Sequence, residues 1–509
     1  MTARADTLSS RIIAAAPWII IAIAIIFRIY ALDRLPGLNG DEAWYGVQAQ
    51  RWAGGEALRW RTPSGNLPGP VQIGWMLVLQ PIFTPSVTLL RIPPLISSLA
   101  AMGLAYAIGR RFFDRTTAMI ALLLMAALPA NIVYARFGWD PSHIGLVILA
   151  SCWAALAGRP LLSALAFALA LIVHPTSVFA APFLTFAFLG ADLERHGRRQ
   201  ALKRSGVHVA LLAAALALLA ITTSQGQVGI GMAGLKDRLT QPLEWAIFPL
   251  LFERLLSGET VYSFVTGHGL GVARHAADVF GAALLALLVT VGTAGLWGKR
   301  FGLIAGIVTG WVACLLAFFL IAGNEALQPH HERYALVLIV PTVLALGLLI
   351  RRLFPEPGRE GRAILFTLAI TASLLVGFWL RYFVVLEREG SVSATAFWTG
   401  LREPKQVAVE CILAATTVSG PAQVIAEDWW LYQPLAYLAH GKGIDLVDPG
   451  RRGPPLAMTR LPGGTYLLVF GGSEMDSRIA ATHHARLRWT IPATGHPRAI
   501  NIWWTPTIH

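Results

Sequence analysis

"RLPGLNGDEAWYGVQAQRWAGG", residues 34–55, follows directly on an apolar run from Trp18 to Phe27 and sets two carboxylates, Asp41 and Glu42, side by side. What that acidic pair means depends on whether the run before it is a membrane helix, and composition answers that it is. The 509 residues are 55% hydrophobic and only 14% charged, with a mean hydropathy of +0.59, far more apolar than a soluble globular chain of average usage. Apolar runs near the length that crosses a hydrocarbon core of about 30 Å recur along most of the sequence. They predict a mainly α, polytopic membrane protein with about eleven spans, at 12–30, 87–108, 117–134, 142–157, 161–173, 175–190, 207–224, 279–297, 302–322, 334–350 and 363–385.

Orientation follows from where Lys and Arg fall in the short loops. Arg4 and Arg11 precede the first span, Arg110, Arg111 and Arg115 follow the second, and Arg195, Arg198, Arg199, Lys203 and Arg204 follow the sixth. Lys299 with Arg300, and Arg351, Arg352, Arg359 and Arg362, mark two later loops on the same side. That side is read as cytoplasmic, with the N-terminus there. Residues 31–86, 135–141, 225–278 and 323–333 then face outward, and an odd number of spans leaves 387–509 outside as well. The short spans at 161–190 are taken as a pair because basic residues lie on both flanks; a single bent helix there would reverse everything downstream. The first span has a basic flank like a signal peptide but no obvious small-residue cleavage site, and is read as a retained anchor in the inner (plasma) membrane.

The net charge of +13 is largely this loop bias. No basic stripe interleaved with aromatics points to nucleic acid. Cys152 and Cys314 lie in spans, so Cys411 stands alone outside and forms no disulfide within the tail. From about 390 the chain changes character. "AQVIAEDWW" (422–430), "GTYLLVFGG" (464–472) and "RAINIWW" (498–504) read as strands, and "LYQPLAYLAHGKG" (431–443) as a short helix closed by Gly. The division is therefore a membrane module over 1–386, with its first outer loop at 31–86, and a small extracytoplasmic α/β domain over 387–509.

Ionisable residues gather at the outer face. Asp41 and Glu42 open the first outer loop, followed by a short amphipathic helix, and "VQIGWMLVLQPIF" (71–83) reads as a helix lying along the interface. "YARFGWDPSH" (134–143) puts Arg136 and Asp140 at the mouth of the third span. "QPHHERYALVLIVP" (328–341) brings His330, His331, Glu332, Arg333 and Tyr334 to that surface, and "LIVHPTSV" (171–178) sets His174 between two apolar segments. Ionisable groups at membrane depth usually face a cavity and carry function. Each also has a plain structural reading: Asp41 as a helix N-cap, Arg333 as a snorkelling cation, Arg136 as a partner of Asp140, His174 as an interhelical donor.

"GDEAWYGVQAQRW", "RFGWDP" and "HERYALVLIVP" resemble the GT-C membrane glycosyltransferases related to protein O-mannosyltransferases, aminoarabinose transferases and lipid A galacturonosyltransferases, over roughly residues 10–350. The resemblance implies a polyprenyl-phosphate sugar donor, inverting transfer at the outer membrane face and an extracytoplasmic glycan, lipid or protein acceptor, with Asp41 matching the motif's first acid. Related aminoarabinose transferases carry a Lys before the interfacial helix, where this chain has "SGNLPGPVQ" (64–72), so the phosphate ligand has to come from elsewhere. No repeated lectin-like domain of the eukaryotic protein mannosyltransferases is present, which speaks against a protein acceptor.

The chemistry agrees. A sugar on a lipid phosphate is already activated, and its leaving group is anchored in the membrane. The protein has to deprotonate an acceptor hydroxyl, hold it behind C1 and stabilise the departing phosphate. Asp41 is the preferred base, Glu42 orients loop groups or a metal, and Asp140 is the alternative base. Arg333 is the preferred phosphate ligand because a guanidinium fork binds oxygens in pairs, with Arg136, Arg61, His331 and Tyr334 beside it and His174 and His330 lining the cavity. An Asp, Glu and His grouping would alternatively hold a divalent metal, although no fixed-spacing ligand motif occurs. A secondary transporter should show paired half-repeats with interrupted helices near the midplane; here the ionisable residues gather at one face. An oligosaccharide ligase differs mainly in donor length.

Overall fold

The computed structural model describes residues 2–57, 69–223, 245, 248–271, 273–296, 302–322, 332–355, 359–392, 397–419, 423–447, 463–482 and 484–506. α1 (Thr2–Ile29) leads into the acidic loop, which folds as α2 (Gly40–Ala53) and α3 (Pro70–Leu79). Next come α4 (Val87–Phe112), α5 (Arg115–Ala127), α6 (Pro129–Tyr134), α7 (Ile144–Leu156), α8 (Pro160–Val173), α9 (Ala180–Arg195) and α10 (Arg198–Thr223). α11 (Phe248–Ser257), α12 (Glu259–Val265), α13 (Ala273–Leu296), α14 (Leu303–Ala322), α15 (Ile339–Leu353) and α16 (Glu360–Phe378) complete the bundle.

Within the described residues, the apolar runs predicted to cross the membrane fall on helical structure, while their number as spans is not fixed by this. Among the described residues six stretches are long and apolar enough to do so: Val87–Phe112, Pro175–Arg195, Arg198–Leu219, Leu303–Ala322, Arg333–Leu353 and Glu360–Arg388. Ala15–Ile29, Arg115–Ala127, Asp140–Leu156 and Pro160–Val173 are apolar but shorter. Proline explains the short pieces: Pro129 and Pro160 open α6 and α8, and Pro175 opens the single 3-10 turn before α9, because a residue without an N–H cannot continue the preceding helix.

Each break frees carbonyls, and side chains from other segments take them. Pro129 cannot donate to Met125, so Arg28 of α1 donates from Nη2 to the Met125 carbonyl at 3.0 Å and from Nη1 to that of Ala126 at 3.2 Å. Inside α4, Pro94 has no N–H for the Leu90 carbonyl, and Gln72 Nε2 of α3 donates to it at 2.9 Å. An unpaired buried carbonyl costs about 1–3 kcal/mol, so the prolines dictate which segments must lie together. Elsewhere small residues set the spacing. A Cβ on Gly306 of α14 would stand 2.3 Å from the Phe186 carbonyl oxygen of α9, and one on Gly190 would stand 2.6 Å from that of Gly302. The two helices meet backbone to backbone.

Beyond the bundle lie α17 (Pro404–Ser419), α18 (Trp429–Leu438) and α19 (Glu474–Ala481) with the strands β1 (Gln423–Ala426), β2 (Asp445–Val447), β3 (Tyr466–Phe470), β4 (Arg486–Ala493) and β5 (His496–Trp504). The sheet order is β2-β1-β3-β5-β4, with β1 parallel to β2 and β3, and β5 antiparallel to β3 and β4. This is the small α/β unit that the tail composition predicts.

The first loop, grouped by sequence with the membrane module, packs into this unit. Leu38, Trp44, Val47, Ile73 and Met76 share one core with Leu431, Leu435, Leu468 and Ile500. α2 lies against α18: Gln50 Nε2 donates to the Tyr437 carbonyl at 3.2 Å, and a Cβ on Gly46 would stand 2.4 Å from the Tyr437 ring. The apolar face of α2 needs a cover, and the late helix supplies it.

Gly46→Ala is therefore expected to lower stability by about 1–3 kcal/mol through overpacking. Gly74→Ala in α3, where an added Cβ meets nothing within 4 Å, is expected to be neutral or to gain up to about 1 kcal/mol of helix propensity. Thermal unfolding of the purified variants in detergent separates the two.

Candidate active site

α2 begins because Asn39 caps it: its side chain accepts the Glu42 N–H at 2.8 Å. The cap is Asn39 and not Asp41, so the N-cap reading of Asp41 falls away and its carboxylate is left for other work. Adjacent helical residues point apart, and here they enter different media. Glu42 is fully buried; Arg91 of α4 donates to it from Nε at 2.7 Å and from Nη2 at 2.9 Å. The Gly138 N–H adds a third donor at 3.1 Å. Glu42 is thus the fixed point that joins α2, the proline-bearing part of α4 and the loop carrying Asp140.

Asp41 looks the other way. Its side chain is 41% exposed and its Oδ2 lies 3.6 Å from Nη1 of Arg333, itself 26% exposed. Two residues nearly three hundred positions apart thereby make one carboxylate and guanidinium pair open to solvent. Arg333 also donates from Nη2 to the Tyr334 hydroxyl at 3.3 Å, and its guanidinium carbon sits 5.6 Å from the Trp139 ring and 5.2 Å from the Tyr334 ring. His174 stands with its ring 5.8 Å from that of Tyr334, its Nδ1 2.8 Å from the Thr176 hydroxyl. Burial first, and the Arg333 charge second, push the imidazole down to about 3, so it is neutral.

Asp140 is buried. Its Oδ1 accepts the Gln72 N–H at 3.1 Å and so receives the first turn of α3. Gly69 admits it, since a Cβ there would stand 2.4 Å from the Asp140 carboxyl carbon. Gln72 continues the network: His143 Nε2 is 3.0 Å from its Oε1, and His143 Nδ1 is 2.7 Å from the Ser97 hydroxyl. Burial pushes the Asp140 carboxyl up to about 8, and Tyr45, one turn beyond Asp41, is raised in turn by burial and by Asp140.

Arg136 is fully buried and its fork is spent on backbone. Nη2 donates to the carbonyls of Tyr30 at 2.7 Å, Ala31 at 3.4 Å and Leu35 at 2.6 Å, and Nη1 to those of Phe27 at 3.3 Å and Arg28 at 2.8 Å. It closes the end of α1, and neither donates to phosphate nor pairs with Asp140. Arg61, His330 and His331 lie outside the described residues. Among the described residues no group of three or more His, Cys, Asp and Glu side chains is placed to hold a metal. Glu42 is spent on Arg91 and Asp41 faces a cation, so a divalent metal does not fit this pair.

The loop has further supports that the sequence pattern did not single out. Glu403 accepts the Leu38 N–H at 3.4 Å while pairing with the buried Lys405 at 3.5 Å. Gly40 gives way to Trp429, whose ring would be 2.7 Å from an added Cβ. Arg91 carried a readable signal, an arginine inside the apolar run "TLLRIPPLI" (88–96). Glu403 and Trp429 carried none, because only packing brings them here.

The raised Asp140 carboxyl has a thermodynamic consequence. With a folded value of about 8 against about 3.9 in the unfolded chain, the unfolded state ionises first, so the contribution is complete below pH 4 and is lost as pH rises towards 8. Asp140→Asn keeps an acceptor for the Gln72 N–H and cannot ionise. Its unfolding temperature should therefore decline less than that of the parent between pH 4 and 8; parallel curves would show Asp140 ionised at neutral pH.

No protein-family model matches the chain, and a search of curated proteins finds no match. Solved structures do resemble it. An oligosaccharyltransferase from Archaeoglobus fulgidus, solved with zinc and sulfate, superposes with a TM-score of 0.50 at 15% identity, covering 89% of this chain and 68% of its own. The oligosaccharyltransferase AglB from the same organism, with an inhibitory peptide and a dolichol-phosphate, gives 0.49 at 14% identity over 90% of this chain and 69% of its own. ArnT from Cupriavidus metallidurans, bound to undecaprenyl phosphate, gives 0.42 at 14% identity over 95% of this chain and 97% of its own. Identity this low speaks for the fold alone, which this chain shares with the archaeal oligosaccharyltransferase.

Proposed function

We propose that this chain is an inverting glycosyltransferase of the inner membrane that moves a sugar from a polyprenyl-phosphate donor to an extracytoplasmic glycan, lipid or protein. The observation that carries this reading is the exposed Asp41 and Arg333 pair, 3.6 Å apart, on a helix N-terminus beside a bundle of apolar helices. The donor is held by its lipid tail in the membrane and by its phosphate at Arg333. The acceptor hydroxyl gives its proton to Asp41, its oxygen bonds to C1 from the face opposite the phosphate, and the C1–O bond breaks with its electron pair going to the phosphate. One displacement inverts the anomeric centre.

The pair also sets an order of events. In the empty site Asp41 is paired with Arg333. A donor phosphate competes for the same guanidinium, leaving Asp41 to act on the acceptor only when a leaving group is in place. Glu42 and Asp140 do not compete for the hydroxyl, the first saturated by Arg91 and the second buried and protonated near neutrality. They hold the loop that presents Asp41. A hexosyl or pentosyl monophosphate donor is the primary reading. A longer lipid-linked oligosaccharide is favoured by the likeness to the archaeal oligosaccharyltransferase, and the same two residues would serve it.

Asp41→Asn keeps the size of the side chain, and Asn39 still caps the helix. It is expected to lower transfer by about 10²–10⁴-fold with polyprenyl-phosphate binding retained. Glu42→Gln breaks a buried pair, and its expected cost of about 3–5 kcal/mol appears first in thermal unfolding. Sugar transfer by purified protein with defined polyprenyl-phosphate donors reads the first, and near-parental turnover of Asp41→Asn would overturn Asp41 as the base.

Orientation has its own test. In a background with Cys411→Ser, a cysteine at the 93% exposed Leu401 should react with an impermeant thiol reagent on intact cells, and Arg199→Cys only after permeabilisation. The opposite pattern would place the acidic loop in the cytoplasm.

A further inference from the structure

We infer that Trp139 is a positioning residue for Arg333, attracting the guanidinium to its ring so that the in-plane donors can turn from Asp41 to an anionic oxygen pair; this rests on the phosphate role proposed for Arg333. The ion pair with Asp41 does not do this by itself. At 3.6 Å between partly exposed groups it is long and screened by solvent, and a phosphate must displace it. A contact that survives phosphate binding has to use another part of the guanidinium. The cation stands 5.6 Å from the Trp139 ring centre, within the distance at which an indole face attracts it. The face of a guanidinium and the N–H donors in its plane do not compete, so an indole can fix the cation while the fork closes on phosphate.

The ring is itself immobilised for this purpose. Trp139 is 3% exposed and stacks on Phe137 with centroids 4.9 Å apart and planes 16° apart. Phe137 in turn packs at 5.6 Å on Phe397, from the far end of the chain, and Tyr134 meets the indole edge at 6.0 Å. A second observation sets this tryptophan apart. Its Nε1–H is buried and finds no hydrogen-bond partner among the described residues, whereas buried indoles ordinarily pair that donor. A Phe would fill much of the space without stranding a donor. What the indole adds is the strongest π face among the aromatic side chains.

The test substitutes tryptophan 139 by its mono-, di- and trifluoro analogues through nonsense suppression, which drains negative potential from the ring face at almost constant shape. Binding of undecaprenyl monophosphate to the full-length protein in phosphatidylcholine nanodiscs is measured alongside the unfolding temperature. The expected result is a graded loss of affinity, on the order of tenfold across the series, with unfolding unchanged and the gradation abolished in an Arg333→Ala background. A flat series in a protein whose binding still depends on Arg333 would overturn the role of Trp139 and leave the phosphate role of Arg333 standing. Binding that Arg333→Ala does not weaken would overturn both.

Discussion

The buried pair between Glu42 and Arg91 is the contact on which the site depends. Neither side chain has any exposure, and their atoms lie 2.7 Å apart. A carboxylate or guanidinium taken out of water is costly unless its hydrogen-bonding capacity is met. Glu42 meets it with two donors from Arg91 and the Gly138 N–H, while Arg91 turns its remaining Nη1 donor to the Leu32 carbonyl at 2.9 Å. That closed set pins the entry to α2, the proline-bearing start of α4 and the loop before Asp140 to one another. Displacing α2 or α4 leaves a charge without a partner, and displacing the loop costs Glu42 its third donor.

Arg28 and Arg136 extend the same logic to backbone. Proline breaks and helix ends leave carbonyls with no N–H, and in an apolar surround an arginine fork is well shaped to collect several of them. The consequence for the chemistry is subtraction. Among the described residues, Arg28, Arg91 and Arg136 are fully buried and consumed by structure, while Arg333 stays 26% exposed beside a carboxylate. Among the acids the same sorting leaves Asp41 exposed while Glu42 and Asp140 are spent on positioning.

The C-terminal α/β unit is part of this arrangement. The core that α2 shares with α18 and the sheet, the Glu403 contact to Leu38 and the packing of Phe397 on Phe137 all brace the loop. Bracing by a folded unit is what allows its carboxylate to be held in place and yet stay accessible.

Much of this was legible in the sequence, for a definite reason. Membrane helices announce themselves because a long apolar run has no other stable use, and the tail's strands announce themselves by alternation and Pro-Gly punctuation, so α1, α4, α14 and the sheet follow from composition and period. Asp41, Glu42, Asp140, Arg333 and Tyr334 were identifiable as charged or polar residues at the margin of apolar segments, where a side chain needs a reason to be. The distinction between their roles was not identifiable, because it depends on partners. Arg136 and Arg333 look alike in one dimension, and only the fold surrounds the first with five carbonyls and sets the second opposite Asp41. Trp139, Glu403 and Trp429 lie still further from sequence inference: an aromatic or an acid in a loop has no period and no neighbour rule, and its meaning is created when distant segments meet. The sequence determined which groups were available and roughly at which depth they lie. The tertiary structure decided which of them are neutralised in the interior and which stay exposed, since desolvation and pairing are properties of a place in the fold rather than of a residue type.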